Sequence, residues 1–346
     1  MAGSRAHGRG ATIYAVAERA GVSIATVSRY LHNPAQVREA NRQRVQRAIV
    51  ELGYEPLGAA QTLAARSHEA LGLIVPEITG QYYADLIAGF EAAAGERDLS
   101  VVLVLAAGRS DLARAARRLA VRVDGLAIMA STGLPRSGVD SLAARVATLV
   151  LAGDPATGIE CVRAESAEPA RELTTRLLSA GRRRLRFVGD PAGAIDVRDR
   201  HAGFVAAHAA YGLPAADPVL VPFDESGGRA AAELLLREIP LTEGLVCAND
   251  LLALALLERL AAAGIGVPEE IALTGWDDIL AARYVRPRLT TVRQPVREIA
   301  ALAAGLLHDR LTIDRPWGGD HVIPCEVIVR DSCGTSDPGT SHPAHH

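Results

Sequence analysis

The chain has 346 residues, 49% hydrophobic and 22% charged, proportions that suit a globular protein of two or three domains and exclude a disordered or fibrous one. No apolar run approaches the roughly 20 residues of a membrane-spanning helix, and the opening MAGSRAHGRG leads into no apolar segment of the secretory kind, so a cytoplasmic protein is expected. Nine arginines against four glutamates put residues 1–66 at +5 and leave the remainder at −8 within a net charge of −3, the asymmetry of a basic DNA-binding head on an acidic body.

The first patterned stretch is TIYAVAERAGVSIATVSRYL, Thr12 to Leu31. Apolar residues at Ile13, Val16, Ala17 and Ala20, then at Val27 and Leu31, follow the spacing of a buried helical stripe. Gly21 supplies the freedom to stop a first helix, and Ser23 can cap a second by accepting its orphan N–H bonds. The outward residues of the second helix, Ile24, Ala25, Thr26, Ser28 and Arg29, are small or hydrogen-bonding. They suit a base edge, as in a helix-turn-helix recognition helix. Past the breaker His32-Asn33-Pro34, a third helix is predicted from Val37 to Leu52, with Arg38, Arg42, Arg44 and Arg47 mostly on its outer side.

The pattern A-x-x-A-G-V-S-x-x-T-V-S-R, carried by Ala17, Ala20, Gly21, Val22, Ser23, Thr26, Val27, Ser28 and Arg29, resembles the DNA-binding headpiece of the lactose repressor (LacI/GalR) family. The resemblance implies a transcriptional regulator that contacts double-stranded, pseudo-palindromic operator DNA through Thr12, Ser23, Ile24, Ala25, Thr26 and Arg29. Ser23 and Thr26 would hold phosphates, and Arg29 is the candidate for a guanine. In one departure, Ala15 stands where many members carry an acid, which removes half of a capping box with Thr12. Residues 55–63 resemble the family's hinge, Y-x-P-N-x-x-A-x-x-L, at Tyr54, Pro56, Ala60 and Leu63, with Leu57 in place of the Asn. This implies that Leu63 wedges into the minor groove where two subunits of a homodimer meet. The expected divisions are a head at 1–54 and a hinge at 55–68.

From residue 69 onward, apolar strands alternate with amphipathic helices, the signature of parallel sheets covered on both faces. Strands are predicted at 71–77, 100–106, 125–130, 184–190, 218–223, 244–250, 271–278 and 321–330, with helices between them. This resembles the two-lobed, periplasmic-binding-protein-like α/β core of the same family. Lobe 1 is expected at about 69–163 and 292–320, lobe 2 at 164–291 and 321–330, and a disordered tail at 331–346.

Ligands of open α/β sheets bind off the carboxyl ends of strands. The polar residues there fall on family motifs: Asp196 and Arg200 in D-x-x-x-R-x-x-G-F, Asn249 in V-C-A-N-D, and Trp276 and Asp277 in G-W-D-D. With Tyr83 and Phe223 they form the candidate effector set. A carboxylate and a guanidinium can grip vicinal hydroxyls, and Trp276 or Phe223 can offer a flat face to a sugar ring. Asp250 is read as a helix cap and Asp278 as a loop anchor. A sugar or sugar derivative is the expected effector, with a purine, nucleoside or other metabolite as the alternative. An α/β enzyme is disfavoured because no G-x-G-x-x-G, Walker, G-x-S-x-G or H-E-x-x-H motif occurs, and a transport component because of the headpiece. Cys161, Cys247, Cys325 and Cys333 form no C-x-x-C pair. No catalytic group, metal or cofactor is expected.

Overall fold

The computed structural model describes residues 12–54, 68–237, 242–313 and 316–335. The chain divides into two compact units, Met1–His68 and Glu69–His346. The hinge residue Leu63 lies outside the described residues, as do 336–346 of the expected tail.

In the first unit, α1 (Ile13–Ala20), α2 (Ile24–His32) and α3 (Glu39–Leu52) enclose Val16, Ala17, Ala20, Val27, Val45, Ala48 and Tyr54. Thr12 caps α1 by accepting from the Ala15 N–H at 3.3 Å; alanine returns no reciprocal bond. Gly21 ends that helix in the left-handed region, φ 60°, where its N–H reaches the Ala17 and Glu18 carbonyls. Val37 is buried but extended, so α3 begins two residues later than its apolar stripe suggested.

In the second unit, β1 (Ala70–Val75), β2 (Ser100–Leu105), β3 (Gly125–Met129), β4 (Ala147–Leu151), β5 (Glu160–Ala164) and β10 (Asp320–Ile323) form one parallel sheet in the order β10-β5-β4-β3-β1-β2. Alternation along β1 serves both faces. Leu71, Leu73 and Val75 meet α4 (Gln81–Gly95) and α12 (Val296–Thr312), while Ala70 and Ile74 meet α5 (Leu112–Ala120) and α6 (Arg136–Ala143).

The second lobe holds β6 (Leu185–Val188), β7 (Gly244–Cys247) and β8 (Ala272–Thr274), parallel in that order, with α7 (Ala167–Ser179), α8 (Ile195–Ala210), α9 (Glu225–Leu235) and α10 (Asp250–Ala262). The expected strand 218–223 shrinks to a single bridge between Val219 and Val188. Pro218 and Pro222 flank it and lack the N–H groups a ladder needs.

Two expectations are corrected where the chain crosses between lobes. The stretch 321–330 is not one strand of lobe 2. Its first part is β10, paired with β5 in lobe 1, and its second is β11 (Glu326–Ile328), antiparallel to the unforeseen β9 (Thr291–Arg293). The tail is ordered through residue 335: Ser332 and Cys333 are buried, and Ser332 Oγ donates to the Leu273 carbonyl at 2.6 Å.

Candidate functional sites

On the first unit, the sequence of α2 separates structure from surface. Val27 faces the core, Ser23 accepts from the Thr26 N–H at 3.2 Å, and the Ser23 and Thr26 hydroxyls share a 2.9 Å bond. Ile24, Ala25 and Arg29 are exposed on this helix, and Arg29 has no ion pair among the described residues. Arg44 donates to the Gly21 carbonyl at 3.0 Å, which ties α3 to the turn. Arg38 and Arg47 remain exposed beside it.

In the second unit a cavity of about 690 Å³ opens at the strand ends between the lobes. It brings together Tyr83, Asp196, Arg200, Phe223, Asn249 and Asp277 from the sequence-derived set. Tyr83 enters from the first turn of α4, and Asp196 and Arg200 from consecutive turns of α8. Phe223 precedes α9, Asn249 caps α10, and Asp277 follows β8.

Arg200 is almost wholly buried, at 2% exposure. Nη1 donates to the Ala248 carbonyl at 2.6 Å and Nη2 to Asp196 at 2.7 Å. Its guanidinium carbon lies 4.4 Å from the Trp276 ring centroid and 5.9 Å from that of Phe223, a cation–π sandwich. Trp276 is therefore corrected as a ligand platform. It is 2% exposed, its ring faces Arg200, and it does not line the cavity. Phe223, at 42% exposure, keeps an open face.

Asp277 adopts φ 114°, a backbone unusual for a side-chain-bearing residue. Burial, with help from Asp196 and against the pull of Arg200 and a 2.6 Å bond from Gln294, raises its carboxyl to about 7. Burial, assisted by Glu77, likewise pushes the Tyr83 hydroxyl up to about 12.

The neighbouring acids are structural. Asn249, rather than Asp250, caps α10 by accepting from the Leu252 N–H at 2.8 Å, and its amide donates to the Phe223 carbonyl at 3.2 Å. Asp250 accepts from the Ile279 N–H at 2.9 Å and from Thr291 Oγ1 at 2.7 Å. Gly275 makes room for it, since a Cβ there would lie 2.1 Å from Asp250 Oδ1. Asp278 is enclosed by Arg283, Arg293 and Arg330.

Sequence reasoning missed Gln294, because the strand before it is only three residues long. Tyr82, edge-on to Tyr83 at 5.5 Å, lines the cavity too. The bridges Arg198–Asp154 at 3.0 Å and Gln81–Leu280 at 2.5 Å join the lobes and carry no periodic signal. Among the described residues there is no metal-binding cluster, and no helix long and apolar enough to cross a membrane.

A helix-turn-helix head followed by a two-lobed α/β body with a polar cleft defines the class: a DNA-binding regulator with a small-molecule pocket. Comparison with known proteins supports that class. A model of the bacterial regulatory proteins of the lacI family matches residues 12–56, and a periplasmic binding protein-like domain matches 174–333. The chain is 34% identical over 303 residues to the transcriptional regulator GalR of Salmonella typhimurium, spanning 86% of this chain and 88% of the relative. Among solved structures, the CelR–cellobiose complex has 29% identity and a TM-score of 0.71, covering 93% of this chain and 99% of its own. The lac repressor dimer bound to operator and the anti-inducer ONPF shares the fold, with a TM-score of 0.84 at 24% identity over 94% of this chain and 99% of its own. The chain belongs to the lacI family of bacterial regulatory proteins, and is a DNA-binding transcriptional regulator rather than an enzyme.

Proposed function

We propose that this regulator is a cytoplasmic repressor of carbohydrate-utilisation genes that binds its operator as a homodimer and is switched by a sugar in the cleft. One observation carries the effector assignment. Asp196, Arg200, Phe223, Asn249 and Asp277 come from separate strand ends and meet in one cavity. Together they offer carboxylate acceptors, an amide and an open aromatic face, the groups that recognise hydroxyls and the apolar side of a pyranose. The cellobiose held by CelR supports the same reading. Thr12, Ser23 and Thr26 would hold phosphates, Ile24, Ala25 and Arg29 would face bases, and Leu63 would wedge the minor groove.

Sugar binding would shift the balance between lobe arrangements and so change operator affinity. The test is a screen of sugars for stabilisation of the full chain, followed by operator binding measured by fluorescence anisotropy with and without each hit. A sugar that raises Tm and changes operator affinity supports the assignment. Stabilisation by nucleobases or nucleosides alone would overturn it.

A further inference from the structure

The cleft has a lopsided charge inventory. Its cations are Arg198 and Arg200, and its anions are Glu77, Asp196, Asp224, Glu225 and Asp277; the chain contains no lysine. Neither guanidinium is free. Arg200 is spent on Asp196 and the Ala248 carbonyl, and Arg198 on Asp154 at 3.0 Å and Asp199 at 3.1 Å. Two acids are also engaged, because Asp224 caps α9 at the Gly227 N–H and Glu225 pairs with Arg229. The carboxylates that remain for a ligand are those of Asp277, Asp196 and Glu77. The facing N–H donors belong to the first turns of α4 and α8, which have no side-chain cap and whose residues line the cavity.

A hydroxyl satisfies both sets at once, because it donates to a carboxylate and accepts from an N–H. A phosphate monoester or sugar acid only accepts. Its usual partner, an unpaired guanidinium or ammonium, is missing from the described lining, and it would sit among three acids. We infer that the cleft selects an uncharged polyol and rejects the phosphorylated or carboxylated form of the same sugar, with Asp277, Asp196 and Glu77 as the specificity-determining residues.

This inference rests on the cleft being the sugar site, and matched ligands separate the two claims. Titration calorimetry on the full chain would compare cellobiose, galactose and glucose with their 6-phosphates. The expected result is that a neutral sugar binds and its phosphate is about 100-fold weaker, the scale of a like-charge penalty of a few kcal/mol. Asp277→Asn should shrink that ratio. Glu77→Gln, at an exposed position where misfolding is no explanation, should shrink it as well, because it removes one of the three charges. Tighter or equal binding of a phosphate would overturn the charge inference and leave the sugar site standing. If no member of any pair binds, the sugar reading falls and the inference with it. A ratio unmoved by Glu77→Gln and Asp277→Asn would also overturn the roles given to these residues.

Discussion

Replacing Asp278 by Asn removes one negative charge and almost nothing else. The residue adopts φ 54°, a left-handed conformation that Asn tolerates well, so backbone strain does not confuse the result. The lost charge is shared by Arg283 at 3.0 Å, Arg293 at 2.8 Å and Arg330. Removing one side of a buried pair costs about 3–5 kcal/mol when the abandoned charge stays buried. Only Arg330, at 11% exposure, meets that condition; Arg283 and Arg293 are 49% and 44% exposed and recover hydration. Their share falls to the roughly 1 kcal/mol or less of a surface pair. The expected loss at pH 7 is therefore about 3 kcal/mol, near the lower end of the buried range.

Both tryptophans, Trp276 and Trp317, lie in the second unit, so urea denaturation of the full chain followed by their fluorescence reads that unit. The pH dependence has a definite sign. Burial works against the Asp278 charge, but bonds from Arg330 and Arg293 outweigh it and hold the carboxyl below its ordinary range. A depressed carboxyl contributes stability above its unfolded pKa, about 3.9, and loses it as pH falls through the lower folded value. The deficit of the variant should be full at pH 7 and shrink in acid below about pH 4. A deficit under about 0.5 kcal/mol at pH 7, or one indifferent to acid, would refute the reasoning.

Asp277 behaves oppositely. Its raised carboxyl keeps a proton that the unfolded chain releases between about pH 4 and 7, so ionisation erodes stability across that window. The rise from 3.8 to about 7 corresponds to at most about 4 kcal/mol, and partial exposure discounts it to about 1–2 kcal/mol. Asp277→Asn should then be more stable than the parent at pH 8 in urea titrations without ligand, and a variant that retains the parental pH slope would contradict this. Gly21→Ala should cost about 1 kcal/mol through the left-handed backbone. The clash of its Cβ with Arg44 Nη2, at 2.3 Å, involves an exposed side-chain end that can swing away. Faster hydrogen exchange in α1 and the α1–α2 turn is the readout, and unchanged protection would refute the strain. Arg29→Ala should relax base preference at one position per half-site by about 1–3 kcal/mol in operator-variant titrations; uniform weakening over all sequences would confine Arg29 to phosphate.

Much of the fold was legible because local periodicity survives in long elements. The two-residue alternation of β1 and the helical stripes of α1, α8 and α10 are written in residues that stay close in sequence. The short strands were not: β5, β9 and β10 span five, three and four residues, too few for a period to emerge. Assigning 321–330 to one lobe failed for the same reason, since the switch from lobe 1 to lobe 2 depends on partners more than thirty residues distant.

The sequence alone determined that a basic helix-turn-helix head precedes an α/β body, and it placed Asp196, Arg200, Phe223, Asn249 and Asp277 at strand ends. Tertiary structure decided what each of those groups is free to do. Trp276 and Phe223 look equivalent as aromatic side chains, yet one lies buried beneath Arg200 and the other faces the cavity. Arg200 reads as a free cation, but Asp196 and the Ala248 carbonyl already occupy it. Asp277 and Asp278 are neighbours in the chain with opposite electrostatics, one raised by burial and the other held down by three guanidiniums. Side-chain type limits the chemistry available, but burial and pairing are set by long-range contacts, and those decide which groups remain for a ligand.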